Sequence, residues 1–229
     1  MMLWPISVAR LMWTSTVRRL KATAASSLTW YLTNASVSVG SDLSLTDPGA
    51  EAFRSPVTGW IVGTGNNNTA PWNNDVELAA TAFADTSHPD GSLDTTNGDF
   101  WTSPAPLTGS FSADNWTVSV CVRANTSGSA TDGRARCRLF RGANQDGSSA
   151  TEITGAAQTG TTVTDVNQSA TGTSTITFNP GAFSVSNEYI FIQIAWERTG
   201  AGGMAGDDVN ARIGNASGGG SRVVTAPFG

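Results

Sequence analysis

At 229 residues the chain is long enough to bury roughly 70% of its unfolded surface, so its core needs neither disulfides nor a metal. With 39% hydrophobic and 14% charged residues and 25 glycines, the composition suits pleated strands and tight turns and argues against long helices. The net charge of −5 argues against a dedicated nucleic-acid binder, because phosphate contacts need a basic face.

Residues 1–25 read as the one helical segment, or as an extended arm. Pro5 suits a first turn, and Ile6, Ala9, Leu11, Met12, Trp13, Val17 and Leu20 form a broad apolar stripe relieved by Arg10, Arg18 and Arg19. A secretion signal puts its cations before the apolar stretch, whereas most of these follow it. Pro5 and Arg10 also break the run well short of a membrane span. Arg10, Arg18, Arg19 and Lys21 all precede the first acid, Asp42; taking these four charges from −5 leaves −9 on the rest. A basic, amphipathic leader therefore precedes an acidic body. An organellar transit peptide shares that composition, and a later translation start is a further alternative. The functional reading is an arm that docks on a neighbour through Leu3, Trp4, Ile6, Leu11, Met12 and Trp13.

From Ser26 the period changes to two. Leu28, Trp30 and Leu32 alternate with Thr29, Tyr31 and Thr33, and shorter pieces follow at 37–39 and 43–45. Asp47, Pro48 and Gly49 signal a turn. Apolar runs at 60–62 and 76–84 flank a polar loop at 63–74. Residues 85–99, with four Asp, one His and two Gly, read as a surface loop closed by Phe100 and Trp101. Pro104 and Pro106 then make the next residues an edge or a connection.

Beyond Trp116 the pattern predicts strands at 116–123, 134–141, 151–153, 173–178, 188–198, 210–213 and 222–225, separated by Gly-rich turns. This is close to the rhythm of an all-β sandwich. The segment 189–196 is the candidate central strand, with Ile190, Ile192, Ile194 and Trp196 on one face. The two cysteines do not make a disulfide framework. Cys121 lies opposite Val118, Val120 and Val122, while Cys137 shares the face of Ala135 and Leu139, away from Arg134, Arg136 and Arg138. In a hairpin of these two strands the sulfurs would lie on opposite sides of the sheet. Two free thiols are therefore expected, in keeping with assembly in a reducing cytoplasm.

Chemistry-bearing side chains are scarce. The single histidine, His88, sits between turn formers, and a nucleophile–His–acid triad has no other histidine to use. One His and two separated Cys do not supply the three or four soft ligands that argue for zinc, and no phosphate-cradling glycine pattern occurs. Asp85, Asp90, Asp94 and Asp99 share one loop, but its spacing lacks the terminal Glu and the alternation of a calcium loop. A glycosidase would need only two carboxylates at a suitable separation, which a sequence does not measure. Of eight tryptophans, Trp30, Trp60, Trp116 and Trp196 fall within strand alternation. Trp72 and Trp101 fall in polar stretches, where a ring could stack on a sugar. No catalytic residue, cofactor or metal is assigned.

The region 116–228 resembles small virion proteins of tailed bacteriophages. The resemblance rests on RARCRLFR at 134–141, TITF at 175–178, YIFIQIAW at 189–196 and TGAGGMAG at 199–206, with WYLTN at 30–34 similar to their opening. The Gly–Met order differs here (Gly202, Gly203, Met204), and the leader has no counterpart. The resemblance implies a non-enzymatic particle component with a jelly-roll-like antiparallel β-sandwich over residues 26–229, preceded by the 1–25 arm. Its partners would be other virion proteins, capsid or tail subunits, and further copies of itself, with neither nucleic acid nor membrane among them. Its location would be the virion, assembled in the host cytoplasm. Head decoration through the arm stands ahead of a tail or fibre role, and a carbohydrate-binding module or adhesin meeting a cell-surface glycan through Trp72 and Trp101 is the alternative.

Overall fold

A computed structural model of the chain describes residues 25–36, 51–55, 75–78, 99–124, 131–166, 171–199, 209–212 and 220–229. These residues contain no helix. They form β1 (Ser26–Ser36), β2 (Glu51–Ser55), β3 (Asp75–Leu78), β4 (Asp99–Thr102), β5 (Leu107–Phe111), β6 (Trp116–Ala124) and β7 (Thr131–Gly142). There follow β8 (Thr151–Glu152), β9 (Gln158–Thr159), β10 (Val163–Val166), β11 (Gly172–Phe178), β12 (Phe183–Arg198), β13 (Val209–Arg212) and β14 (Arg222–Phe228). The helical reading of residues 1–25 and the strand readings at 37–39, 43–45 and 60–62 lie outside the described residues.

The protein is an all-β sandwich. One layer holds β1, β14, β6, β11, β13 and β3, and the other holds β4, β7 and the C-terminal part of β12 with β8 to β10 along the edge of β7. Among the described residues every pairing is antiparallel except that of β1 with β2. The 14-residue connection between them (37–50) is long enough for the crossover a parallel pair requires.

A long ribbon carries the chain from one layer to the other. Phe178 faces Trp116 and Phe183 faces Phe111, so β11 and β12 follow β6 and β5 without a slip. Further on, Phe191 to Ile194 pair with Thr102 to Asp99 in the second layer. The bend falls where the register shifts between Ser186 and Glu188. There Asn187 adopts φ 56°, a left-handed conformation that asparagine tolerates, and the extra residue forms a bulge that redirects the strand. Pro104 and Pro106 interrupt the partner strand at the same place, since neither can donate to a ladder. Ser103 secures the corner: its N–H donates to the Ile190 carbonyl at 2.8 Å, and its Oγ accepts from the Ile190 N–H at 3.1 Å.

A second seam joins the layers at the far edge. Ser174 Oγ accepts from the Ala135 N–H at 2.9 Å and donates to the Thr161 carbonyl at 2.7 Å. The Thr161 N–H donates to the Thr175 carbonyl at 3.0 Å. The seam occupies the edge of β11 that β6 leaves open, so that edge is not offered to a second chain.

The core follows the alternation read from the sequence. Trp30 and Leu32 of β1, Trp116, Val118, Val120 and Val122 of β6, and Ile176 of β11 meet Ala135, Cys137 and Leu139 of β7 and Ile190, Ile192, Ile194 and Trp196 of β12. Removing each large side chain from water contributes about 1.5–3 kcal/mol. β12 is central as expected, with β7 on one side and β4 on the other. β6 and β7 are not a hairpin: β6 pairs with β11, β13 and β14, and β7 pairs with β12. The two strands lie in opposite layers, so Cys137 faces the core while Cys121 lies on the other face of β6 from the core valines. Neither cysteine forms a disulfide.

Gly133 shows how tightly the second layer is built. A Cβ there would come within 2.4 Å of the Trp196 indole, which lies across it. Gly133→Ala is expected to destabilise the fold by about 1–3 kcal/mol by forcing the ring from its rotamer. A urea midpoint equal to the parent's would show that the indole moves without cost.

Candidate functional site

Among the described residues, the strongest cluster of charged side chains lies on the outer face of the second layer. In β7, Ala135, Cys137 and Leu139 take the inner positions, which puts Arg134, Arg136 and Arg138 on the outer ones. The alternation of β7 directs these arginines away from the core, but Arg136 and Arg138 are only 3% and 1% exposed. Phe100, Phe140, Ala150 and Phe191 form a smaller apolar cluster on the same face, with Tyr189 against it. The segment after β7 folds back along that strand: Arg141 pairs with Thr151, Phe140 with Glu152, and Cys137 with Gln158.

Carboxylates from two directions neutralise the guanidinium groups. Glu197 of β12 stands directly opposite Arg134 and accepts from Arg134 Nε at 2.6 Å and from Arg136 Nη1 at 3.2 Å. Glu152 of β8 lies 3.8 Å from Arg138, with both side chains almost fully buried. Its Oε1 also accepts from Thr154 Oγ1 at 3.0 Å, and that hydroxyl accepts from the Leu139 N–H. At the bend, Arg141 lies 3.8 Å from Glu188 and donates to the Ser184 carbonyl. Ion pairs with these extra hydrogen bonds tie β7, β8 and β12 together, and burial keeps Arg136 and Arg138 from any bulky ligand.

The Arg134 hydrogen bond, with help from Arg136, holds the Glu197 carboxyl below its ordinary value of 4.5 despite an opposing contribution from burial. A carboxylate with a depressed folded-state pKa stabilises the fold fully above its unfolded value, and the contribution is lost as pH falls through the folded one. The urea midpoint is therefore expected to fall below about pH 4.5 more steeply for the parent than for Glu197→Gln. Parallel curves for the two would remove Glu197 from the acid response. Burial pushes the Cys137 thiol far above its ordinary value, outweighing nearby Arg136, so this sulfur stays protonated and unreactive.

Among the described residues, those singled out in the sequence do not gather into a second site. Trp101 belongs to β4, opposite Ile192, and is fully buried in the main core. Its reading as a loop ring open to a ligand is corrected, because the 85–99 stretch gives way to a strand at Asp99. Of the loop carboxylates, Asp99 opens β4 opposite Ile194; Asp85, Asp90 and Asp94 lie outside the described residues. So do His88, Trp72 and the arm residues Leu3, Trp4, Ile6, Leu11, Met12 and Trp13. Among the described residues no three His, Cys, Asp or Glu side chains are grouped to hold a metal ion. The pairing of Arg138 with Glu152 was not anticipated. Its only signal was the Arg-x-Arg-x-Arg alternation, which by itself reads as a solvated face.

Comparison with protein-family models and with curated proteins gives no match.

Proposed function

We propose that the chain is a non-enzymatic structural protein of a tailed-bacteriophage particle, a head decoration subunit that docks through residues 1–25. The reading rests on the resemblance, and one observation supports it most. The two runs that carry it most fully, 134–141 and 189–196, are the paired centre of the second layer, within a ladder of ten residue pairs between β7 and β12. The likeness thus concerns the frame of the fold. The jelly-roll-like description belongs to the same reading.

The architecture suits such a role. A subunit present in many copies at high local concentration must not polymerise through its strand edges. Here the seam at Ser174 and the ribbon around Asn187 join the layers, and the buried charges are spent on one another. Attachment would then fall to the arm. At about 25 cal/mol per Å², its apolar stripe needs only a few hundred Å² of contact per copy to contribute several kcal/mol before association costs, and repetition on a lattice multiplies it. Deleting residues 1–25 is expected to leave a cooperatively folding sandwich that no longer enters particles, read by co-sedimentation with purified heads. Normal incorporation of the deleted protein would sink the arm. Incorporation only into tails would move the protein to the tail or fibre.

A further inference from the structure

We propose that the outer face of the first layer binds a carboxylated polysaccharide, with Arg222 receiving the carboxylate and Tyr31 the face of a sugar. The inner row across this layer is Trp30, Val223, Val118 and Ile176, register partners on β1, β14, β6 and β11. All four are fully buried, so alternation turns the rows on either side of them outward. One outward row is Tyr31, Arg222, Ser119 and Thr175. The other is Thr29, Val224, Thr117 and Thr177. Arg222 and Thr177 are exposed and the other six are half-buried. Six of these eight side chains carry a hydroxyl and none is a carboxylate. With neighbouring strands about 4.8 Å apart, each row spans about 14 Å.

Charge selects the occupant. Arg134, Arg136, Arg138 and Arg141 each lie beside a glutamate, whereas among the described residues the exposed Arg222 has no carboxylate within ion-pair distance. A chain of net charge −5 thus sets one unneutralised cation amid hydroxyls on this face. A flat face lacks the walls that enclose a small molecule. Val224 is the one aliphatic side chain of the two outward rows, so the apolar anchors of a protein partner are missing. A second copy using the same face would bring no acid to Arg222, and a nucleic acid would need several cations where one stands. A polysaccharide lays its hydroxyls along the hydroxyl row and the apolar face of one sugar on the tyrosine ring. Its carboxylate accepts two parallel hydrogen bonds from the guanidinium. The contact goes beyond the docking reading: it uses neither residues 1–25 nor Trp72 and Trp101, and stands apart from both.

Binding of the full-length chain to immobilised polygalacturonate and hyaluronate, with dextran and single-stranded DNA alongside, tests this. The chain is expected to bind at least one of the two carboxylated polymers, more weakly as salt is raised, and to leave dextran and DNA unbound. Arg222→Gln should weaken binding roughly tenfold or more, as expected for the loss of charge-assisted hydrogen bonds, and Tyr31→Ala should weaken it several-fold. Ser119→Glu sets a carboxylate directly opposite Arg222 and should weaken binding as much as Arg222→Gln does. All three changes fall on outward side chains, and each variant should keep the parent's thermal midpoint within a few degrees. Failure to bind either carboxylated polymer would overturn the proposal. So would DNA or dextran bound as tightly as they are, or unchanged affinity in folded Arg222→Gln or folded Ser119→Glu.

Discussion

Glu152→Gln is expected to destabilise the folded chain by about 3–5 kcal/mol at neutral pH, the usual cost of removing one charge from a buried pair. The Glu152 side chain is 2% exposed and that of its partner Arg138 1%, so water cannot take the place of the lost carboxylate. The amide also weakens the link that runs from Thr154 Oγ1 to Glu152 Oε1 and from the Leu139 N–H to Thr154 Oγ1, which keeps β8 against β7. Equilibrium urea unfolding with an unchanged slope is the measurement. The double replacement Arg138→Met with Glu152→Leu separates the pair's worth from the cost of breaking it. Apolar groups of similar volume often serve as well as a buried ion pair, so the double variant should recover most of the loss. A single variant within 1 kcal/mol of the parent would mean that Arg138 finds enough compensation elsewhere, and that the pair does not secure β8.

How far the fold was legible depended on how each strand is buried. β12 announced itself because Ile190, Ile192, Ile194 and Trp196 alternate over a full strand length, and β6 did so through Val118, Val120 and Val122. β4 did not. Phe100 and Trp101 are adjacent and both fully buried, one in each apolar cluster, because the layer is covered on both faces. A strand buried on both sides loses its alternation. With an Asp-rich stretch before it and Pro104 after it, four residues looked like the end of a loop. β9 and β10 escaped for another reason: they are two and four residues long, held by the register of β7 more than by their own pattern. The β6–β7 hairpin supposed in placing the cysteines does not form, although sequential strands usually neighbour one another. Here they face each other across the core. The arginine ladder was visible as alternation but not as a buried network, because its partners Glu152 and Glu197 come from strands that only the tertiary pairing brings alongside.

Trp101→Ala is expected to cost about 3–5 kcal/mol, the range for emptying a fully buried aromatic site, and to lower the thermal midpoint by on the order of 10 °C. The ring is fully buried beside Ile192 and belongs to the cluster that also holds Trp30, Trp116 and Trp196, so truncation leaves a cavity that strands paired on both sides cannot collapse to fill. Trp101→Phe, which keeps most of the volume, should lose much less. This comparison also decides what remains of the carbohydrate-binding alternative. A ring that stacks on a sugar is needed for binding and dispensable for folding; a core ring is the reverse. Below its thermal midpoint Trp101→Ala should therefore retain whatever glycan affinity the parent has, measured per folded molecule on a glycan array, while its unfolding midpoint falls. Loss of glycan binding with an unchanged midpoint would contradict the burial and return Trp101 to a ligand site. If stability alone changes, the adhesin reading is left to Trp72, and Trp72→Ala becomes its remaining test.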